Sequence, residues 1–183
     1  MDRNEALQLV RSNVKNKNLI KHMLAVEAVM GKLAERFGAN VTEWQLVGLL
    51  HDIDYDVTCD NPEQHSLLGA EMLAVQGLRA DLVDAVRAHN EAHGLPRTTQ
   101  IDKALYCSDP VTGLIVAGAL IHPDKRLSSI TPEFVLNRFG EKSFARGAKR
   151  ETILACSELG LSLEEFVALS LEAMQAVASD IGL

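Results

Sequence analysis

The stretch LVGLLHDIDYD, residues 46–56, decides the fold, because an apolar run leads without a break into a group of ionisable side chains. The run LVGLL is typical of a helix buried in a protein core. His51 and Asp52 follow it directly. Burial of an imidazole beside a carboxylate is costly unless both groups are paired. The stretch therefore predicts a core helix that delivers a His-Asp pair to an internal polar site.

The composition of the whole chain favours helices. The 183 residues are 47% hydrophobic but only 4% aromatic, which suits helices rich in Ala, Leu, Glu and Val better than a β-sandwich or barrel. We expect an all-α bundle of about nine helices, bounded by caps and stops. It should form one domain over residues 1–183, with a core part at about 17–121 and a C-terminal helical extension at about 124–183.

Capping signals give the approximate helix boundaries. Thr42 with Gln45, and Ser162 with Glu165, have the spacing of a capping box. Pro110 either separates two helices or only kinks one longer element. The predicted helices cover residues 3–14, 17–37, 42–53, 64–76, 79–91, 99–108, 110–121, 132–139, 143–159 and 162–180.

Charge, cysteines and hydropathy exclude several classes of function. The net charge of −7 argues against generic nucleic-acid binding, which depends on clustered Lys and Arg. The three cysteines are far apart and form no C-x-x-C pair, so neither a disulfide framework nor a thiolate zinc site is indicated. No signal peptide is visible, and the uncharged stretch 110–123 is shorter than the about 20 residues of a membrane helix. We expect a cytoplasmic protein that does not bind membranes.

A series of histidines and aspartates lies on different predicted helices or at their ends. A bundle can direct one such ligand from each helix into a shared core site. Imidazole and carboxylate ligands suit iron, manganese, nickel, cobalt or zinc. Six ligands are too many for one ion with open positions, whereas two ions sharing Asp52 would use them all. The series comprises His22, His51, Asp52, His65, His89 and Asp109.

The pattern H…HD…H…H…D in this order resembles the HD-domain superfamily of metal-dependent phosphohydrolases. The stretches LLHDIDYD, HSLLGAEML, AVRAHN and ALYCSDPVTG are similar to those of small, largely uncharacterised bacterial HD hydrolases, and the resemblance covers residues 17–121. It implies one or two divalent ions, of Fe, Mn, Ni, Co, Zn or Mg. By this resemblance His22, His51, Asp52 and Asp109 hold one ion, and Asp52, His65 and His89 hold a second.

The resemblance also implies an activity. The ions acidify a water molecule that attacks phosphorus, and they offset the charge of the phosphoryl oxygens, so an acidic chain can bind an anionic substrate. We expect a small phosphorylated substrate, with a nucleotide as the leading candidate. Two alternatives use the same ligands: a mixed-valent di-iron oxygenase, and a non-catalytic module that senses a nucleotide.

Two departures from the family pattern stand out. Many relatives continue as HDIGK, with a lysine available for substrate phosphate, whereas this chain reads HDIDYD with Asp54, Tyr55 and Asp56. The chain also has no GYP motif, and Asn90 rather than a second histidine follows His89. The phosphodiesterases of the HD-GYP branch are therefore a poor match.

Several further residues are candidates for catalysis or substrate contact. His93 can protonate a leaving group from a turn beside His89. Lys103 lies before Asp109 on the same predicted helix and can reach substrate. The candidate catalytic residues are Asp52, Lys103 and His93, and the candidate substrate contacts are Asn90, Lys103, Lys21 and Arg97.

The C-terminal region offers two weaker signals. Lys142, Arg146, Lys149 and Arg150 recur at helical spacing, which we interpret as a solvated face because Glu141 and Glu151 dilute it. The last predicted helix carries a broad apolar band, which indicates core packing and also allows a homodimer contact.

Overall fold

The computed structural model describes residues 1–183 and contains only helices and the turns that join them. The prediction of an all-α fold is therefore confirmed. Three short 3-10 helices cover Glu91–His93, Leu127–Ser129 and Ala155–Leu159. The α-helices are α1 (Arg3–Asn13), α2 (Lys17–Phe37), α3 (Val41–Leu50), α4 (Tyr55–Thr58), α5 (Leu67–Val75), α6 (Ala80–Ala88), α7 (Gln100–Ile121), α8 (Pro132–Gly140), α9 (Arg150–Leu154), α10 (Leu163–Ala176) and α11 (Ala178–Ile181).

One hydrophobic core of 43 buried residues runs from Ala6 in α1 to Ile181 in α11. The two longest helices, α2 and α7, lie at its centre: α2 packs against α3, α7 and α10, and α7 also packs against α6, α8 and α9. The helices after residue 122 thus share their apolar contacts with the earlier ones. Burial of this apolar area is the main free energy that holds the bundle together.

Helix α7 runs through Pro110 without a break, so the two helices predicted around this residue are one. A proline removes the hydrogen bond to the carbonyl four residues earlier, here that of Tyr106. Tyr106 and Pro110 both line a cavity, so the missing bond lies on the side of α7 that does not pack in the core. Among the helices, only α7 is long and apolar enough to cross a membrane. Of its most apolar 18-residue stretch, 56% is buried inside the fold.

The helix predicted over residues 143–159 is wrong in its first half. Residues 141–149 form a loop with Ala145 in the left-handed region at φ 45°, and α9 begins only at Arg150. The Arg150 guanidinium holds this loop, since it donates hydrogen bonds to six backbone carbonyls. They belong to Arg138, Phe139, Glu141, Phe144, Ala145 and Ala148. Arg150 is thus a structural residue of the loop and not part of a solvated face.

Other boundaries differ by a few residues. Ser162 caps α10 as predicted, accepting a hydrogen bond from the Glu165 amide at 3.1 Å. The capping box at Thr42 is wrong, because Asn40 caps α3 instead. Helix α5 begins at Leu67, later than predicted, which leaves His65 in the preceding turn.

Helices α2 and α3 cross at Gly48. A Cβ atom at this position would lie 2.9 Å from the backbone nitrogen and Cα of Glu27 and from the Val26 carbonyl oxygen. Such distances are shorter than van der Waals contact, and neither backbone can move without shifting its helix. Only glycine allows this close approach, which brings the end of α3 beside α2.

Replacement of Gly48 by alanine should therefore destabilise the protein. We expect Gly48→Ala to lower the free energy of unfolding by about 1–3 kcal/mol through overpacking. Gly113→Ala in α7 is the matched control, because nothing lies within 4 Å of its added Cβ. The control should raise stability by about 0.5–1 kcal/mol through helix propensity. Urea denaturation of both variants measures the difference, and equal stabilities would contradict the close crossing.

Candidate metal centre

The six candidate ligands come from five separate parts of the fold, and the structure brings them together. His22 lies in α2 and Asp109 in α7. His51 and Asp52 follow the last turn of α3, His65 lies in the turn before α5, and His89 ends α6. His51, Asp52 and His89 are buried. Four of the six residues thus lie at helix ends or in a turn, while His22 and Asp109 lie within α2 and α7.

The Asp52 carboxylate lies between two pairs of imidazoles. Its Oδ2 is 3.7 Å from His22 Nε2 and 3.5 Å from His51 Nε2. Its Oδ1 is 3.3 Å from His65 Nε2 and 3.6 Å from His89 Nε2. Each oxygen thus faces a different pair, as a bridging carboxylate between two ions would.

The remaining carboxylate, Asp109, belongs to one of the two pairs. Its Oδ1 lies 3.1 Å from His22 Nε2. The ligand atoms of His22, His51 and Asp109 lie within 4.8 Å of one another, and so do those of His51, Asp52 and His89. Such spacing allows a small cation to contact several of these atoms at once.

All four imidazoles have the Nδ1 atom engaged and the Nε2 atom turned inward. Nδ1 of His51 donates to the Gly48 carbonyl at 2.8 Å, and Nδ1 of His89 donates to the Val86 carbonyl at 2.6 Å. A carbonyl can only accept, so both rings carry their proton on Nδ1. In both cases the acceptor lies three residues earlier, at the C-terminal end of a helix, and the Val86 carbonyl also accepts from the His89 amide at 3.4 Å.

The other two rings are anchored by side chains. Nδ1 of His65 lies 3.0 Å from Asp54 Oδ1. Nδ1 of His22 lies 3.1 Å from the Thr112 hydroxyl, which itself donates to the Asp109 carbonyl at 2.8 Å and so accepts from His22. A proton on Nδ1 leaves the Nε2 lone pair free for a metal ion.

The arrangement of these nitrogens fits a divalent metal ion. Within each pair the Nε2 atoms are 3.2 Å apart, for His22 with His51 and for His65 with His89. Two unprotonated nitrogens cannot hydrogen-bond to each other, so a proton or a metal ion between them would stabilise each pair. Nitrogen and carboxylate oxygen donors suit zinc, iron, manganese and related ions. The buried His/Asp cluster can therefore hold a metal ion.

The titration of the cluster leads to the same conclusion. Burial lowers the pKa of His51 to about 4, which keeps this ring neutral. Burial also acts on His22 and His89, but Asp109 and Asp52 outweigh it and raise their pKa values. The pKa of Asp52 is lowered, because the surrounding imidazoles outweigh its burial. The carboxylate stays ionised and attracts a proton or a metal ion to each side.

Asp54 is a site residue that the sequence analysis did not assign. Its carboxylate is fully buried and accepts hydrogen bonds from the amides of Ser66 at 2.8 Å and Gly69 at 2.9 Å, in addition to its contact with His65. Ser66 adopts a left-handed φ of 71°, a strained conformation for a residue with a side chain. Asp54 thus fixes the turn that carries His65. The extra acidic residue in HDIDYD was the available signal.

His93 and Asn90 hold the same turn from the other side. Nε2 of His93 donates to the His65 carbonyl at 2.7 Å, and the Asn90 amide donates to the carbonyls of Pro62 and His65. This His93 proton is therefore engaged by the backbone rather than directed at a leaving group. The geometry gives His93 a role in positioning His65.

A polar cavity of about 190 Å³ opens beside the centre. Three ligand candidates line it, His65, His89 and Asp109, together with Asn90, Glu91, Tyr106, Lys149 and Thr152. With its side chain 38% exposed, Asp109 is the most accessible ligand candidate. A reacting group can approach the centre from this cavity.

The other predicted substrate contacts occupy different places. Lys21 and His22 both line a second cavity, of about 370 Å³. The Arg97 guanidinium stacks on the Tyr106 ring, with its central carbon 3.6 Å from the ring centroid. Lys103 lines neither cavity. The structure therefore brings Asn90 to the cavity beside the centre, Lys21 to the second cavity and Arg97 into contact with a residue that lines the first.

Comparison with known proteins places the chain in a family. The model of the HD domain matches residues 19–122, which is more than half of the chain. Ribonuclease Y of Nitratidesulfovibrio vulgaris is 30% identical over 98 residues, covering 54% of this chain and 18% of that protein. Ribonuclease Y of Lawsonia intracellularis is 26% identical over 167 residues, covering 81% of this chain and 32% of that protein. The chain thus spans less than a third of the length of these curated relatives. With its six ligand candidates inside the matched region, the chain belongs to the HD-domain family.

Proposed function

We propose that the protein is a metal-dependent phosphohydrolase that cleaves a phosphoester or phosphoanhydride bond of a small molecule, with a nucleotide as the leading substrate class. The observation that carries this proposal is the position of Asp52, with one oxygen toward each pair of imidazoles. Family membership and the similarity to ribonucleases support hydrolysis at a phosphorus centre.

The proposed ligands divide into two sets that share Asp52. Divalent ions held there would neutralise charge on a phosphoryl group and acidify a water molecule. The first set is His22, His51, Asp52 and Asp109, and the second is Asp52, His65 and His89.

The protein's own residues supply position and shielding. The Nδ1 anchors of the four imidazoles fix the direction of each Nε2 atom before any substrate arrives, which removes the cost of ordering them during the reaction. Burial of His51 and His89 excludes water from the inner side of the centre. The cavity beside Asp109 offers substrate an approach to the centre.

RNA is a second candidate substrate, because the relatives carry the name Ribonuclease Y. The matched part is only 18% to 32% of those proteins. The net charge of −7 also opposes binding of a long polyanion, since such binding depends on released counterions and basic side chains. We therefore favour a small substrate and keep an RNA oligonucleotide as the direct comparison.

The decisive experiment measures phosphate release and metal content together. Purified protein should be supplied in turn with Mn, Fe, Co, Ni, Zn and Mg and offered nucleotides, simple phosphoesters and a single-stranded RNA oligonucleotide. We expect hydrolysis of a small phosphoester with at least one metal. Oxygen consumption without phosphate release would favour the di-iron oxygenase. Ligand binding that survives metal removal, without turnover, would favour a sensor.

Substitution of the bridging residue should abolish activity. We expect Asp52→Ala to reduce turnover to the level of the metal-free protein, because both proposed metal sites lose a shared ligand. Elemental analysis should show a matching loss of bound metal. Asp60→Ala is the control, since the Asp60 side chain is exposed in the segment that follows Asp52 in the chain. Full activity in Asp52→Ala would refute the proposed mechanism.

The buried partner of His65 should control metal affinity. Asp54→Asn keeps the size of the side chain but removes the charge that orients His65. We expect the affinity of the second site to fall about 10–100-fold, as for other groups that orient a metal ligand. Titration of the metal ion into each protein, recorded by calorimetry, measures this change in metal affinity. Asp60→Asn, with the same charge change, should bind metal like the unmodified protein.

A further inference from the structure

We propose that Lys149, which lies outside the region matched by the HD-domain model, binds the phosphate group of the substrate and that Glu91 is the counterion it gives up on binding. This inference rests on the proposed function, since it assigns a residue to the same site. The ligand is a phosphate-bearing anion, and Lys149 contacts it from the C-terminal region.

The position of Lys149 supports this role. Lys149 lines the cavity of about 190 Å³ together with the ligand candidates His65, His89 and Asp109. It is the only lysine or arginine among the lining residues. The HDIDYD stretch that carries His51 and Asp52 contains no lysine or arginine. Lys149 therefore supplies the cationic side chain of this cavity from another part of the chain.

The backbone that carries Lys149 is held in place. Arg150, the next residue, donates hydrogen bonds to the carbonyls of the 141–149 loop, including Ala148 at 2.6 Å and Phe144 at 2.7 Å. A guanidinium with this many partners fixes the loop and so the origin of the lysine side chain. Thr152, two residues further on, lines the same cavity. The C-terminal region thus builds one wall of the site.

The present partner of Lys149 can be exchanged. The Lys149 ammonium forms an ion pair with Glu91, while the Tyr106 hydroxyl donates to the second Glu91 oxygen at 3.2 Å. The side chains of Lys149 and Glu91 are 60% and 45% exposed, and an exposed ion pair contributes little to stability. A phosphate group between Lys149 and bound cations would make stronger, charge-assisted contacts. Substrate can therefore displace Glu91 at low cost.

The test measures binding of inorganic phosphate to the metal-loaded protein by isothermal titration calorimetry. Lys149→Met removes the charge and keeps the length of the side chain, and we expect it to weaken phosphate binding about tenfold. Glu91→Gln should strengthen binding, because it releases Lys149 and removes a like charge that faces the phosphate. Lys142→Met is the matched control from the same loop. The Lys142 side chain does not line the cavity. We therefore expect the phosphate affinity of this control variant to stay within about twofold of that of the unmodified protein.

The outcomes separate this inference from the proposed function. Equal phosphate affinity in the unmodified protein and Lys149→Met would overturn the role of Lys149 and leave the hydrolase intact. Weaker binding in Glu91→Gln would overturn the role of Glu91 as a displaced counterion. An unmodified protein that binds metal but no phosphate would overturn both proposals. Opposite changes in Lys149→Met and Glu91→Gln cannot result from general loss of folding, so that pattern supports the inference.

Discussion

The whole centre depends on one ionised carboxylate held among imidazoles in the interior. Asp52 is buried, and burial alone would favour its neutral form, but the surrounding rings keep its pKa low. A buried charge needs positive partners, and the Nε2 atoms of His22, His51, His65 and His89 lie within 3.7 Å of its two oxygens, where they can hold a proton or a cation. The desolvated Asp52 carboxylate therefore attracts cations.

The fold satisfies this requirement with helix ends. The carbonyls of Gly48 and Val86, at the ends of their helices, each accept the Nδ1 proton of a histidine three residues later. Each contact adds a hydrogen bond at a helix C-terminus and also turns Nε2 toward Asp52. Gly48 has a second role, because its missing side chain lets α3 approach α2 and so brings His51 near His22. Packing and site geometry therefore depend on the same residues.

The sequence predicted the class of fold, most helices and the six His and Asp side chains that lie together in the structure, whose role as metal ligands stays a prediction. It did so because helical periodicity and the order of His and Asp residues are local or linear signals. It failed where non-local contacts decide. The 141–149 loop has helix-forming residues, yet Arg150 binds its carbonyls and keeps it out of a helix. The contact between Asp54 and His65 could not be predicted either, because a turn brings the two side chains together only in the folded chain.

The amino-acid sequence alone determined an all-α chain with six candidate ligands in the order of the HD-domain family, because apolar spacing and residue type are written along the chain. Only the tertiary structure decided which atoms of those residues converge and which ring nitrogens are free. It also decided that Lys149 lines the cavity beside the centre and that His93 donates to a backbone carbonyl. The physical reason is that the orientation, tautomer and charge of each imidazole ring depend on hydrogen-bond partners that are distant in sequence. The packing of the helices determines which of these partners meet.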